Sequence, residues 1–103
     1  MRRFVYLIQS VDNGLYKIGI SKNPKRRLAE LQTGNGEKLK IIHLFETDHP
    51  ITLETALHNR YLHISKRGEW FRFDLEIEVN FLSECEKFNN NIIYLKKNNN
   101  PFI

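Results

Sequence analysis

Cysteine is nearly missing: Cys85 is the only one in 103 residues. A lone thiol excludes an intrachain disulfide and any cysteine-built metal site, and it is compatible with a reducing, intracellular compartment. Long apolar runs are missing too. None approaches the roughly 20 residues that cross a bilayer, so no membrane partner is expected. The run after Met1-Arg2-Arg3 is interrupted by Gln9, Asp12 and Lys17 too soon for a secretory signal, so the chain is not read as secreted. Acidic residues are in deficit, twelve Asp and Glu against sixteen Lys and Arg, for a net charge of +4. That balance suits nucleic acid as a partner and suits an ordinary solvated basic surface equally well. The length supports one domain with a single modest core.

What is present starts with two apolar runs around Asn13-Gly14. Residues 4–11 and Leu15–Ser21 read as strands, and the Asn-Gly pair predicts a two-residue hairpin turn. That turn would set Tyr6 opposite Ser21, Ile8 opposite Gly19 and Ser10 opposite Lys17. Side chains alternate along a strand. One face then carries Tyr6, Ile8, Ser10, Lys17, Gly19 and Ser21. The other carries Val5, Leu7, Val11, Tyr16, Ile18 and Ile20, and is the better core face.

Asn23-Pro24 predicts a helix start, with Leu28 and Leu31 as its apolar stripe and Gly34 at its end. Arg26 points away from the stripe and can pair with Glu30, whereas Arg27 sits at its edge and can reach the sheet. Residues Leu39 to Glu46 read as a third strand. A second helix is expected from about Thr52 to Ile64, buried through Leu53, Leu57, Tyr61 and Ile64, with Glu54 and His58 adjacent on its flank. Residues 69–73 read as a short strand or extended segment, and Asp74 as the cap of a third helix. Asn89-Asn90-Asn91 is expected to stop that helix, with Ile92 to Leu95 packing back as a short strand. The domain is thus expected over residues 1–95, with 96–103 a flexible tail.

Tyr6, Lys17 and Arg27 are candidates for one constellation. A phenol, an ammonium and a guanidinium on one face suit a phosphate. Seen alone, they are more often a half-buried tyrosine and two surface cations. Glu54 is the best single metal-ligand candidate. Mg²⁺ typically takes one or two protein carboxylates and completes its shell with water and phosphate oxygens. His58 could be a second ligand, a proton carrier or a phosphate donor, or simply a helix-flank histidine. His43, His49 and His63 have no metal spacing. Cys85 and Trp70 read as core.

Together these residues resemble the GIY-YIG nucleases, closest to their virus- and phage-associated branch. The motifs are Val5-Tyr6-Leu7-Ile8, Tyr16-Lys17-Ile18-Gly19-Ile20-Ser21, Asn23-Pro24-Lys25-Arg26-Arg27-Leu28, Leu31-Gln32-Thr33-Gly34-Asn35, Glu54 with Leu57-His58, and Gly68-Glu69-Trp70-Phe71. The resemblance spans roughly residues 4–74. It implies an α/β (α+β) fold in which a small three-stranded antiparallel sheet is flanked by helices. It also implies a metal-dependent DNA endonuclease with one Mg²⁺ (or Mn²⁺) per active site. Tyr6 would be the base or would position water, Arg27 would stabilise the phosphate, Glu54 would hold the metal, and Gly19 would keep the second strand open. Lys17 stands where the broader pattern has a tyrosine. Leu31 stands where many relatives have a histidine, and His58 is a candidate replacement for that imidazole.

Lys22, Lys25, Arg26, Lys66 and Arg67 are expected to touch the DNA backbone. With no separate DNA-reading domain in sight, sequence preference should be weak or should come from the loops Thr33–Lys38 and Ser65–Arg67. A monomer or a transient dimer both satisfy the sequence. The protein is expected in the cytoplasm or with the nucleic acid of the cell or virus. The competing function is a non-catalytic nucleic-acid-binding module on the same scaffold.

Overall fold

The first strand, β1 (Arg3–Ser10), is the axis of the molecule, and residues Val5 to Ile8 are buried on both of its faces. This is a computed structural model in which residues 2–67 and 69–98 are described, the side chain of Arg67 excepted. Around β1 lie β2 (Leu15–Ser21), β3 (Leu39–Thr47), β4 (Ser65–Arg67) and β5 (Trp70–Phe71). They form one antiparallel α+β sheet in the order β3-β1-β2-β5-β4. The sheet therefore has five strands, not three. β4 and β5 are three and two residues long. Strands that short carry no readable alternation.

Three helices cover the sheet. These are α1 (Pro24–Thr33), α2 (Pro50–Arg60) and α3 (Leu75–Lys97), with a 3-10 turn at Leu62–Ile64 after α2. The α1 start is capped by Asn23, whose side chain accepts from the Arg26 amide at 3.2 Å, with Pro24 in the first turn. Asp74 caps α3 by accepting from the Ile77 amide at 2.9 Å, and Glu76 and Glu78 complement the helix dipole in its first turn. The Asn89-Asn90-Asn91 run does not end α3, and residues 92–95 are helical rather than a strand. Asparagine is only modestly worse than alanine in a helix, under about 0.7 kcal/mol each. Burial of Cys85 and Ile92 and a 2.6 Å hydrogen bond from Thr47 Oγ1 to the Asn89 side chain hold α3 to the domain. Lys96 and Lys97 complete that helix, so the expected tail loses its first two residues to it. Residues 99–103 of the expected tail lie outside the described residues.

The hairpin register differs from the one read off Asn13-Gly14. Tyr6 pairs with Gly19, Ile8 with Lys17 and Ser10 with Leu15. The connection is a four-residue loop, 11–14, closed by a 2.9 Å bond from the Gly14 amide to the Ser10 carbonyl, with Gly14 at φ 69°. A shift of two residues preserves side-chain parity. The two faces therefore keep their members, apart from Val11, which lies in the loop and is 42% exposed. The observed register rests on shape. The Tyr6 ring lies against Gly19, where a Cβ would collide with its hydroxyl and Cζ.

The larger core lies between the sheet and α2 with α3. Val5, Leu7, Ile18, Leu53, Leu57, Phe71, Phe81 and Cys85 are all at most 1% exposed there. The opposite face has a smaller cluster, Tyr6, Ile8 and Leu39, against which Leu28 and Leu31 of α1 and Trp70 pack. Among the described residues no helix is long and apolar enough to cross a membrane.

Candidate functional site

The site grows from β2. Lys17 points to the α1 face and is only 7% exposed. Directly opposite it in the ladder is Trp70 of β5, and the Lys17 ammonium lies 5.7 Å from the Trp70 ring centre. The residue before Trp70, Glu69, is thereby brought alongside, and Lys17 Nζ donates to Glu69 Oε2 at 2.5 Å. A buried ammonium needs such a counter-charge. Lys17 holds the Glu69 carboxyl below the usual carboxylate range, helped by the nearby charge of Arg27.

Tyr6 stands next to Lys17 on the same face, buried at 2% exposure over Gly19. Its hydroxyl lies close to the Arg27 guanidinium, and that interaction holds Arg27 above the ordinary arginine pKa. Arg27 also donates to Glu30 at 3.5 Å. One residue earlier, Arg26 is exposed and faces Glu30 at 3.6 Å. The helix thus turns one arginine to the sheet and leaves the other in water. Gly19 has a different role from the one expected: its missing Cβ makes room for the tyrosine ring rather than leaving an open space.

Glu54 and His58 arrive from α2, which Leu53 and Leu57 anchor in the larger core. Among the described residues β5 pairs with β2 at Tyr16 and Lys17. The next carbonyl, Ile18 O, accepts a 3.0 Å hydrogen bond from His58 Nε2. A carbonyl can only accept, so Nε2 carries the proton and the lone pair of the neutral ring belongs to Nδ1. The Phe71 ring braces His58 edge-on at 5.3 Å. Burial pushes the Glu54 carboxyl above the ordinary range, and Glu69 adds to that, while His58 and Lys17 oppose it. One ligand atom each from Glu54, His58 and Glu69 lies within 4.8 Å of the others.

Tyr6, Lys17, Arg27, Glu54 and His58 thus gather around β2. Glu69 joins them, and only its place beside Trp70 in the Glu-Trp-Phe segment could have marked it. Leu31 is packed in the small apolar cluster and contributes no polar group. Lys22 and Lys25 flank the start of α1 and are exposed, as is Lys66 of β4. The Arg67 side chain lies outside the described residues. His43 donates from Nε2 to the Glu78 carbonyl at 2.9 Å and stacks on Phe81, on the core side of the sheet. Cys85 is fully buried, and burial pushes its thiol up to about 12, so it is inert.

Among known proteins, residues 3–90 match the family model of the T5orf172 domain. No curated protein and no solved structure matches the chain. The resemblance to GIY-YIG nucleases is corrected by that match, because the T5orf172 domain is a different domain family. The motifs behind the resemblance all fall inside the matched span, and short motifs by themselves did not separate the two families. On the match over most of its length, the chain belongs to the T5orf172 domain family.

Proposed function

We propose that this protein is a metal-dependent endonuclease that hydrolyses DNA phosphodiester bonds at the Tyr6, Lys17, Arg27 and Glu54 face. One observation carries the reading: the buried Tyr6 lies close to the Arg27 guanidinium, Arg27 is near Glu69, and Glu69 gathers with His58 and the half-buried Glu54 within 4.8 Å. A protein that only bound DNA would gain nothing from carboxylates facing a polyanion. The arrangement suits phosphate chemistry instead. Arg27 presents a planar fork of donors to two phosphate oxygens. Tyr6, fixed over Gly19, orients the attacking water or takes its proton.

Glu54 fits the role of metal ligand. Two ligands of one Mg²⁺ ion, each about 2.1 Å away, sit roughly 3–4 Å apart. The spacing of up to 4.8 Å between Glu54 and its neighbours needs only a small side-chain closure. A bound Mg²⁺ or Mn²⁺ ion supplies Lewis-acid charge to the scissile phosphate and to the leaving oxygen. The exposed cations Lys22, Lys25, Arg26 and Lys66 would hold the DNA backbone. One such site cuts one strand, and a double-strand break needs a dimer or two visits. The reading puts the protein where DNA is, inside a cell or with a viral genome.

One observation favours the second reading, a nucleic-acid-binding module without catalysis: Lys17 is already paired with Glu69 and is not free for phosphate. Plasmid nicking with Mg²⁺ or Mn²⁺ against an EDTA control decides between them. Cleavage is expected, and it should be abolished by Tyr6→Phe, Arg27→Ala or Glu54→Ala in folded protein. Full activity of Glu54→Ala would sink the assignment. Salt-dependent DNA binding with no cleavage under any ion would leave the binding module.

A further inference from the structure

Two of the three groups in the Glu54 cluster, His58 and Glu69, are held by β2 in a way that DNA binding alone does not call for. The Ile18 carbonyl takes the Nε2 proton of His58 at 3.0 Å. The adjacent Lys17 ammonium takes one oxygen of Glu69, Oε2, at 2.5 Å. In each case the outer partner occupies one side of the group and leaves the other side with a lone pair: Nδ1 on His58 and Oε1 on Glu69. Metal-binding histidines almost always spend their other ring N–H on a carbonyl or carboxylate, and ligating carboxylates are themselves hydrogen-bonded. The third group, Glu54, is half-buried, and one of its carboxylate oxygens lies within 4.8 Å of a ligand atom of each of the other two.

We infer that Glu54, His58 and Glu69 form a three-ligand site for a first-row divalent transition ion, with Lys17 and Ile18 of β2 as its outer shell. The inference rests on the metal-dependent reading above and extends it from one carboxylate to a mixed oxygen and nitrogen set. The donor types decide the ion. Mg²⁺ favours oxygen-only sites and gives up its water reluctantly, whereas imidazole nitrogen with carboxylates suits Mn²⁺ and its neighbours. Glu69 is then a ligand rather than a bystander. Lys17 positions it, which explains why a lysine is buried here at all.

The test needs no DNA. The full chain is titrated with Mn²⁺ and separately with Mg²⁺ by calorimetry, and bound Mn²⁺ is counted by electron paramagnetic resonance. One Mn²⁺ per chain is expected, at least about tenfold tighter than Mg²⁺, with Glu69→Gln weakening Mn²⁺ by about tenfold or more. The bound Mn²⁺ signal should show nitrogen hyperfine coupling that His58→Gln removes. Circular dichroism confirms that each variant is folded. Glu69 is an exposed side chain, so its variant stays informative even if His58→Gln does not fold. Equal affinity for the two ions, wild-type Mn²⁺ binding by Glu69→Gln, or no nitrogen coupling would each overturn the three-ligand site. Mg²⁺-dependent cleavage persisting in Glu69→Gln would then leave the nuclease reading intact. Tight three-ligand Mn²⁺ binding without cleavage of any DNA would do the reverse.

Discussion

The two faces of the sheet are built differently. Towards α2 and α3 the buried residues are Val5, Leu7, Tyr16, Ile18, Leu53, Leu57, Tyr61, Phe71, Phe73, Phe81, Cys85 and Ile92. Towards α1 the buried apolar cluster is Tyr6, Ile8 and Leu39. Burial of apolar surface stabilises in proportion to area, so the first face holds the fold. The second has little apolar mass. It can therefore carry a buried lysine paired with Glu69, a tyrosine and a partly exposed arginine. β2 serves both faces at once. Ile18 fills the core while Lys17 and Gly19 shape the site, because neighbouring side chains on a strand point opposite ways.

If that division holds, substitutions on the two faces separate stability from activity. The largest stability effect is expected from Phe81→Ala in the main core, about 3–5 kcal/mol by urea unfolding. Its cleavage rate in folded protein should be near wild type. Arg27→Ala should do the opposite, lowering the cleavage rate by about 10²–10³-fold, as loss of a charge-stabilising donor does. Its urea midpoint should barely move. A smaller and mixed effect is expected from Gly19→Ala, where the added Cβ meets the Tyr6 ring. Overpacking of this kind costs about 1–3 kcal/mol, and displacement of Tyr6 should reduce cleavage as well. A Gly19→Ala chain with normal stability and activity would remove the register argument.

Finer still is the pH dependence of the two facing carboxylates, read by urea midpoints across pH. The folded protein raises the Glu54 value. Its stabilising contribution is therefore present below the usual carboxylate range and is lost as pH rises through the raised value. Glu54→Gln should be more stable than wild type near neutrality and equal to it in acid, a site kept at a stability cost for function. The folded protein lowers the Glu69 value. Its contribution is present above the usual range and is lost as pH falls through the lowered value. Glu69→Gln should be less stable near neutrality and equal in acid. The smallest effect is expected at Arg26→Ala, within about 0.5 kcal/mol, because its pair with Glu30 is a solvent-exposed helix contact.

Much of the fold was legible because its signals are local. Asn23-Pro24 and Asp74 announce helix starts through bonds that span three residues. The face assignment of Tyr6, Lys17 and Gly19 survived an error in register, since parity does not depend on turn length when the shift is even. The error itself has a physical source. Asn13-Gly14 suits a tight turn, yet Tyr6 fits over Gly19 and not over Ser21, and packing chose the register. α3 outran its asparagines for a similar reason, since the burial of Ile92 outweighs three weak propensities. β5 falls inside the segment read as a short strand or extended, but β4 left no trace, because three residues have no period.

By itself, then, the sequence determined where helices begin, which side chains share a strand face, and that Arg27 rather than Arg26 turns inward. Each of these follows from backbone geometry over a few residues. Only the tertiary structure decided that Glu69 meets Lys17, 52 positions away, and that His58 meets Ile18, 40 positions away. Those pairings come from how β5 docks on β2 and how α2 crosses the sheet. Long-range packing sets both, and no local spacing in the chain encodes it.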